Sequence, residues 1–562
     1  MRNSIIIVLL GLLLWGQNTM MKADTVRIHT LGDSTMEQQD PNVKDQRGWP
    51  QLLSPFFTSE VTILNHAKSG TSSKTFYKEG YWERAKKTIL AGDYVFIQFG
   101  HNDEKHNGED GKIGTAPTDS FRIYLRKYVE EVRQLRAIPV LFTPVVRCMI
   151  GRDGKVTRRG MHDLGEHVHE RVNPAFDKND AVTFNYGYNM LALAKEMKCP
   201  CIDMTTLTAS LVNKLGKEQA VRLIYNLPGD GTHFGTSGAL LFSQVAVKEL
   251  KKQRILEKYI VESPRLIVAP AGLDWGNVYA GTLKNTVIDV CCLGEDDEMG
   301  EICLSADGVY LSTAFQSAVT ESAGLKTLSL SYKIEHGIAC QKVYASIVPE
   351  VAGEISTDIT IKKEEEVIHI PVTGKCMALE NNKGFSVAFQ LQGNDKPQTK
   401  GIVISQSEKW SGMVMEKYSQ PDAIGIIDEG GRYSRAKVQY NQIEGGIWPG
   451  NEIDVVYSRY IQFGLQAVEG SVLHVESLNM LIGGGTKYRV VCSKDEDFAH
   501  VYTLGEYTAD DARMKKQSWQ VGQQLKSGEK LFIRIYPWCK ENTADCWLCL
   551  YDIIIKGHSG LE

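Results

Sequence analysis

The sequence predicts a three-layer α/β/α sandwich with a central parallel sheet, followed by β-sandwich-type accessory domains. Between Val26 and Gln253, short apolar runs alternate with helical patterns. Those runs are nearly continuous in apolar residues, as strands covered on both faces must be. Beyond residue 263, long helical patterns give way to short β-like segments separated by turn signals.

Five runs read as strands: "VRIHTL" (26–31), "VTILN" (61–65), "YVFIQF" (94–99), "PVLFTPVV" (139–146) and "CIDM" (201–204). In "DSFRIYLRKYVEEVRQLRA" (119–137), Phe121, Leu125, Val129, Val132 and Leu135 fall about one helical turn apart. "GYNMLALAKEMK" and "TSGALLFSQVAVKELKKQ" read as two further helices. Strand–helix alternation argues for a parallel sheet with helices on both faces. After "SPRLIVAP" (263–270), the segments "TVIDVCC", "KTLSLSYKI", "KVYASIV", "DITIKK" and "VIHIPV" come as short strands. "GKCMALENNKG" breaks the pattern near Lys375. The expected units are therefore an α/β domain over 24–258, an Ig-like β-sandwich over 265–374 and a β-rich accessory domain over 375–562, with a jelly roll as one candidate topology. At about 150 residues per unit, a chain of 562 fits this division.

The first residues differ from the rest. Arg2 precedes an apolar run from Ile5 to Trp15, and small or polar residues continue to Ala23, the pattern of a signal peptide over 1–23. The run is too short to span a bilayer core of about 30 Å. No Cys comes after it to take a lipid. The mature chain is expected to be secreted or periplasmic, without membrane insertion. Net charge is −5 with no sustained basic run, which argues against nucleic acid as a partner. The 12 Cys show no dense framework, and the adjacent Cys291 and Cys292 and the clustered Cys539, Cys546 and Cys549 suggest buried thiols or a few disulfides.

In open parallel sheets the working groups gather past the carboxyl ends of the strands. After the first predicted strand comes Gly32-Asp33-Ser34-Thr35, after the second "HAKSGTSS" with Gly70, and after the third Gly100-His101-Asn102-Asp103. The loop before the last helix carries Asp230 and His233. Together they supply the parts of a hydroxyl-nucleophile esterase. A neutral Ser needs a base, and His serves near neutral pH. A carboxylate on the other ring nitrogen fixes the tautomer and stabilises the imidazolium. The catalytic candidates are Ser34, His233 and Asp230. The oxyanion-hole candidates are the Ser34 N–H, the Gly70 N–H and the Asn102 side-chain amide. Each piece alone has a bland reading as turn chemistry; their occurrence in order, each past a strand, carries the case.

"LGDST", "SGTSS", "FGHND" and "DGTHF" resemble the four signature blocks of the SGNH (GDSL) hydrolases, with Ser34, Gly70, Asn102 and His233 as namesakes. Within that group, residues 24–255 resemble the rhamnogalacturonan acetylesterases. The finer likeness lies in Thr35 after the Ser, in "FGHND", in "PVLFTPVVR" ending at Arg147, and in "ALAKEMKCPCIDMT" before "DGTHFGTSGA". The stretch 148–185 departs from the pattern, being longer and richer in His and Arg. The resemblance implies an SGNH/flavodoxin-like fold and removal of acetyl groups from the rhamnogalacturonan of pectin.

Acyl transfer of this kind needs no cofactor and no metal. Lys44, Arg47, Lys68, Lys74, Arg147, Arg152, Arg158 and Arg159 fall in or near the active-edge loops and could pair with uronate carboxylates. Arg147, Lys74 and His101 are the substrate-binding candidates. His162, His167 and His169 suggest either a metal or a His-bearing surface helix. "LGEDDEMGE" (293–301) is acidic enough for calcium but fits no known loop signature. Trp410, Trp448, Trp519, Trp538 and Trp547 could stack on sugars or fill a core. The rival readings are an SGNH esterase for another acetylated glycan or small ester, and a non-catalytic pectin-binding protein.

Overall fold

The computed structural model describes residues 26–42, 45–227, 230–261, 264–314, 326–391, 397–418, 433–438, 452–508, 514–539 and 548–562. The expected signal peptide lies outside them, as do Lys44, Trp448, Cys546 and Trp547.

Five strands form the first sheet: β1 (Val26–Gly32), β2 (Val61–Asn65), β3 (Tyr94–Gln98), β4 (Ile138–Phe142) and β5 (Cys201–Ile202). All pair in parallel, in the order β2-β1-β3-β4-β5. The order reverses at β1, so the crevice between the carboxyl ends of β1 and β3 is the switch point where such sheets place ligands. Alternate side chains enter two cores. Ile28, Phe96, Val140 and Phe142 pack with residues of helices Met204–Leu223 and Thr236–Lys252. Leu31, Val95, Ile97 and Leu141 pack with helices Ser73–Lys78, Ser120–Gln134 and Tyr186–Glu196. This is the expected three-layer sandwich.

The sequence pattern misplaces some element ends. The fourth ladder stops at Phe142, ahead of Pro144, which has no N–H to offer a neighbour. "CIDM" pairs only over Cys201–Ile202, because Asp203 instead caps a helix by accepting from Thr206 N at 3.1 Å. That helix, Met204–Leu223, is not legible in the sequence pattern: its threonine-rich start favours strand, and Gly216 at φ 74° interrupts its periodicity.

The second unit is a β-sandwich. In one sheet β6 (Leu266–Ala269), β8 (Lys284–Leu293), β10 (Tyr310–Ser312) and β12 (Ile338–Ile347) take the order β10-β12-β8-β6. In the other β7 (Leu273–Tyr279), β9 (Met299–Ala306), β11 (Thr327–Lys333), β13 (Gly353–Lys363) and β14 (Glu366–Met377) take the order β11-β9-β13-β14-β7. β14 runs through the break expected near Lys375, held by its parallel pairing of Met377 with Tyr279, so the chain leaves this sandwich a few residues later. Cys291 and Cys340 face each other across β8 and β12 and form a disulfide.

The third unit is again two sheets. Leu548–Leu561 lies at the centre of one, and the other runs Ile404–Ser411, Tyr460–Gln466, Lys530–Trp538, Lys487–Ser493, Tyr502–Thr508. Trp519 and Trp538 are buried between strands, so neither offers a face to a sugar. Trp410 is partly buried and its Nε1 donates to Glu408.

Candidate active site

β1 ends at Gly32, where nothing larger fits. A Cβ there would lie 2.4 Å from Met36 Sδ and 2.7 Å from the Gln98 carbonyl. The chain then turns sharply, with Met36 N and Glu37 N donating to Asp33 O at 3.1 and 3.0 Å. Asp33 Oδ1 accepts from Thr35 N and Thr35 Oγ1 at 2.9 and 2.8 Å, which fixes the turn that presents Ser34. Gln98 Nε2 donates to Thr35 Oγ1 at 2.8 Å and tethers that turn to β3.

The turn meets the loop before Thr236–Lys252. His233 Nε2 lies 2.7 Å from Ser34 Oγ, across 199 positions of sequence. His233 Nδ1 lies 2.8 Å from Asp230 Oδ2. Thr232 N and His233 N both donate to Asp230 Oδ1 at 2.9 Å, so the carboxylate organises the loop and orients the ring together. With Nδ1–H donating to Asp230, Nε2 is left as the acceptor for the Ser34 proton. Ser34 is partly exposed, so a substrate can reach Oγ. A hydroxyl, an imidazole and a carboxylate bonded in this order have the chemistry that acyl transfer needs.

The oxyanion candidates lie on the same edge. Lys68 N donates to Gly32 O at 2.9 Å, drawing the loop of Gly70 against the strand end that precedes Ser34. Gly70 is exposed at φ 82°, a conformation that favours Gly, and a Cβ there would meet nothing within 4 Å. Asn102 Nδ2 donates to Thr71 O at 3.0 Å, joining the loops after β2 and β3 and leaving a second N–H on that amide.

The three substrate-binding candidates are corrected by their surroundings. Lys74 is buried, and its Nζ donates to Asp110 Oδ1, Gly111 O and Gly114 O, closing the loop 110–114. Arg147 Nε and Nη2 hold Glu104 Oε1 at 2.9 and 2.7 Å, Nη2 also reaches His101 O at 3.0 Å, and Nη1 bonds Thr232 Oγ1. His101 is 3% exposed beneath the nucleophile turn, with Nδ1 3.3 Å from Asp33 Oδ2 and its ring edge-on to His162 at 4.5 Å. All three shape the site from within. Arg47 is likewise buried, and Arg158 is engaged with Asp163.

The charges below the site are strongly perturbed. Burial pushes the His101 ring down, to about 4, so it is neutral near neutral pH. Burial raises the Asp33 carboxyl, but His101 and the Thr35 donors outweigh it and hold it at about 2. Burial likewise acts upward on Glu104, and Arg147 and His162 reverse it, keeping it well below the usual carboxylate range. Asp103 goes the other way: burial pushes it up, to about 6, against donors from Ser73 and Thr115. Sequence reasoning missed Glu104, Thr232 and Gln98. Thr232 lies inside the "DGTHF" block and Glu104 directly after "FGHND", whereas nothing local marks Gln98.

His162 belongs to this buried network, with Nδ1 3.0 Å from Glu104 and Nε2 2.8 Å from Val145 O. His167 and His169 sit on the helix Gly165–Arg171, facing Asn107 Oδ1 and Phe176 O. Among the described residues, no group of three or more His, Cys, Asp or Glu is placed to hold a metal ion.

Residues 30–241 match the GDSL-like Lipase/Acylhydrolase family. Rhamnogalacturonan acetylesterase RhgT of Bacillus subtilis (strain 168) is 31% identical over 243 residues, an alignment covering 41% of this chain and 92% of that protein. The chain belongs to the GDSL-like lipase/acylhydrolase family. A rhamnogalacturonan acetylesterase of Emericella nidulans is 25% identical over 229 residues, covering 39% of this chain and 83% of that protein. Axe2, an acetylxylan esterase from Geobacillus stearothermophilus of known structure, is 16% identical with a TM-score of 0.28, over 40% of this chain and 94% of that one. As a family member the chain is an ester hydrolase, and the two β-rich units lie beyond the matched region. Among the described residues, no helix is long and apolar enough to cross a membrane.

Proposed function

We propose that this GDSL-family hydrolase is an exported serine carbohydrate esterase that removes acetyl groups from pectic polysaccharide, rhamnogalacturonan first. The observation that carries the proposal is the Ser34–His233–Asp230 chain of hydrogen bonds, at 2.7 and 2.8 Å. The names of the relatives support the substrate. Lys68, partly exposed at the loop of Gly70 with its Nζ 3.5 Å from Glu37 Oε1, is the cation that in this reading would turn to a uronate carboxylate. The apolar run ahead of Ala23 supports export.

In this reading Ser34 Oγ attacks the acetyl carbonyl and its proton passes to His233 Nε2. Asp230 stabilises the imidazolium that forms. The carbonyl oxygen becomes an oxyanion, met by the Ser34 and Gly70 N–H groups and the Asn102 amide. Collapse breaks the ester bond, and His233 returns the proton to the departing sugar oxygen. Water then attacks the acetyl-serine, giving its proton to His233. The bond from the acetyl carbon to Ser34 Oγ then breaks, His233 returns the proton to Ser34, and acetic acid leaves and ionises to acetate in solution.

The test is acetate release from acetylated rhamnogalacturonan, acetylated xylan and a medium-chain acyl ester side by side. The expected result is preference for the first and a loss of roughly 10³-fold or more in Ser34→Ala. Full rate in that variant overturns the mechanism, and equal rates on xylan overturn the substrate assignment.

A further inference from the structure

The segment after the nucleophile turn leaves the α/β domain to meet the first β-sandwich. Arg47 is 1% exposed, and its Nε and Nη2 donate to Asp289 Oδ2 at 3.2 and 3.0 Å. Asp289 belongs to β8 and is itself 3% exposed. Nearby, Asn42 Nδ2 donates to Thr286 Oγ1 at 3.3 Å and Lys342 Nζ to Asp45 Oδ1 at 2.6 Å. The apolar core of the α/β domain continues through Ile267, Cys291, Leu293 and Ile338 of the sandwich. The two units are therefore packed as one body at this point.

The same segment grips both halves of the triad. Gln46 Nε2 donates to Ser34 O at 2.9 Å. Arg47 N donates at 2.9 Å to the carbonyl of Phe234, the residue after His233. Arg47 Nη1 donates to Gln46 O at 2.9 Å, so one guanidinium ties Asp289 to the residue that holds Ser34.

We propose that Asp289 is a positioning residue for hydrolysis: through its buried pair with Arg47, the first β-sandwich sets the Ser34–His233 geometry. The proposal rests on the esterase reading above. A buried guanidinium has no water to replace a lost carboxylate, so removing Asp289 takes the ion pair from Arg47 and drives its side chain to rearrange. That shift is transmitted to Gln46 and Phe234. The Ser34–His233 hydrogen bond tolerates little displacement, and misplacement by about 1 Å costs on the order of 100-fold in rate.

The experiment uses the full chain and 4-nitrophenyl acetate, a substrate with no sugar to contact the sandwich. It measures kcat, KM, the rate at which a fluorophosphonate labels Ser34, and the melting temperature. In Asp289→Ala, kcat and the labelling rate are expected to fall together by about 10–100-fold, with KM changed less than about threefold. Asp289→Asn is expected to lose less, and Asp289→Glu to recover part of the rate. Glu335→Ala removes an exposed pair with Arg222 across the same boundary and is expected to keep kcat within about twofold. Wild-type kcat and labelling in folded Asp289→Ala or Asp289→Asn overturn the proposal. So does an equal loss in Glu335→Ala. If Asp289→Ala does not fold, Asp289→Asn, which keeps the side-chain shape, decides the question. The esterase reading fails separately, by a wild-type chain without activity or a Ser34→Ala chain with it.

Discussion

Arg147→Met separates two views of the same residue. On sequence grounds Arg147 is a cation at the active edge, suited to a uronate. In the fold its guanidinium is spent on Glu104, His101 O and Thr232, and only 14% of the side chain is exposed. Methionine keeps the apolar stem and removes every donor. Glu104, with its side chain 6% exposed, is then left with His162 Nδ1 as its side-chain partner. Removing one member of a buried ion pair costs about 3–5 kcal/mol, because the remaining charge stays desolvated. At about 2–4 °C per kcal/mol for a domain of this size, the melting temperature should fall by roughly 6–20 °C. Thr232, between Asp230 and His233, also loses its anchor, so kcat on 4-nitrophenyl acetate should drop by about tenfold or more. Calorimetry and initial rates on the aryl ester and on acetylated pectin read both effects. The reasoning is refuted if melting and aryl-ester kcat are unchanged while KM rises on the uronate-bearing polymer alone.

The buried carboxylates and the disulfide give two further outcomes. Asp33 is held at about 2 against an ordinary 3.8, so the folded state gains from its ionised form above 3.8 and loses that gain as pH falls toward 2, a difference of about 2 kcal/mol. Denaturant titrations of wild type and Asp33→Asn at pH 5 and pH 2 should therefore converge by about that amount at the acid end, and parallel behaviour would contradict it. Asp103, raised to about 6, has the opposite sign: its contribution is present below 3.8 and fades as pH rises through 6, so the difference between the two proteins carries the test rather than either curve alone. Cys340→Ser opens a loop spanning 49 positions in the first sandwich, for which chain entropy gives about 4 kcal/mol of lost stability; an unchanged unfolding midpoint in oxidising buffer would rule this out.

The sheet and the candidate reacting groups are legible along the chain because each signal is local. A run such as "YVFIQF" must be covered on both faces, and helix Ser120–Gln134 buries Phe121, Leu125, Val129 and Val132 as their spacing requires. The end of a parallel strand is also the end nearest the ligand crevice, so the loops after β1, β2 and β3 yield Ser34, Gly70 and Asn102 without coordinates. The helix Met204–Leu223 is harder to see, since Gly216 and the threonine-rich start weaken its pattern and Asp203 reveals its cap only once the β5 ladder is known to stop at Ile202.

The charged residues are a different case. Sequence alone pointed to a hydroxyl, an imidazole and a carboxylate at one sheet edge: a strand end places Ser34, while Asp230 and His233 come in the loop ahead of helix Thr236–Lys252. Only the tertiary structure decided that Arg147, Lys74, His101 and Arg47 work inside the protein. Their roles depend on the groups within about 3 Å, and those partners sit up to 242 positions away, as Asp289 does from Arg47. A cation in a loop reads the same whether it meets a substrate or a buried carboxylate, since the difference is desolvation, which the fold creates and spacing does not encode.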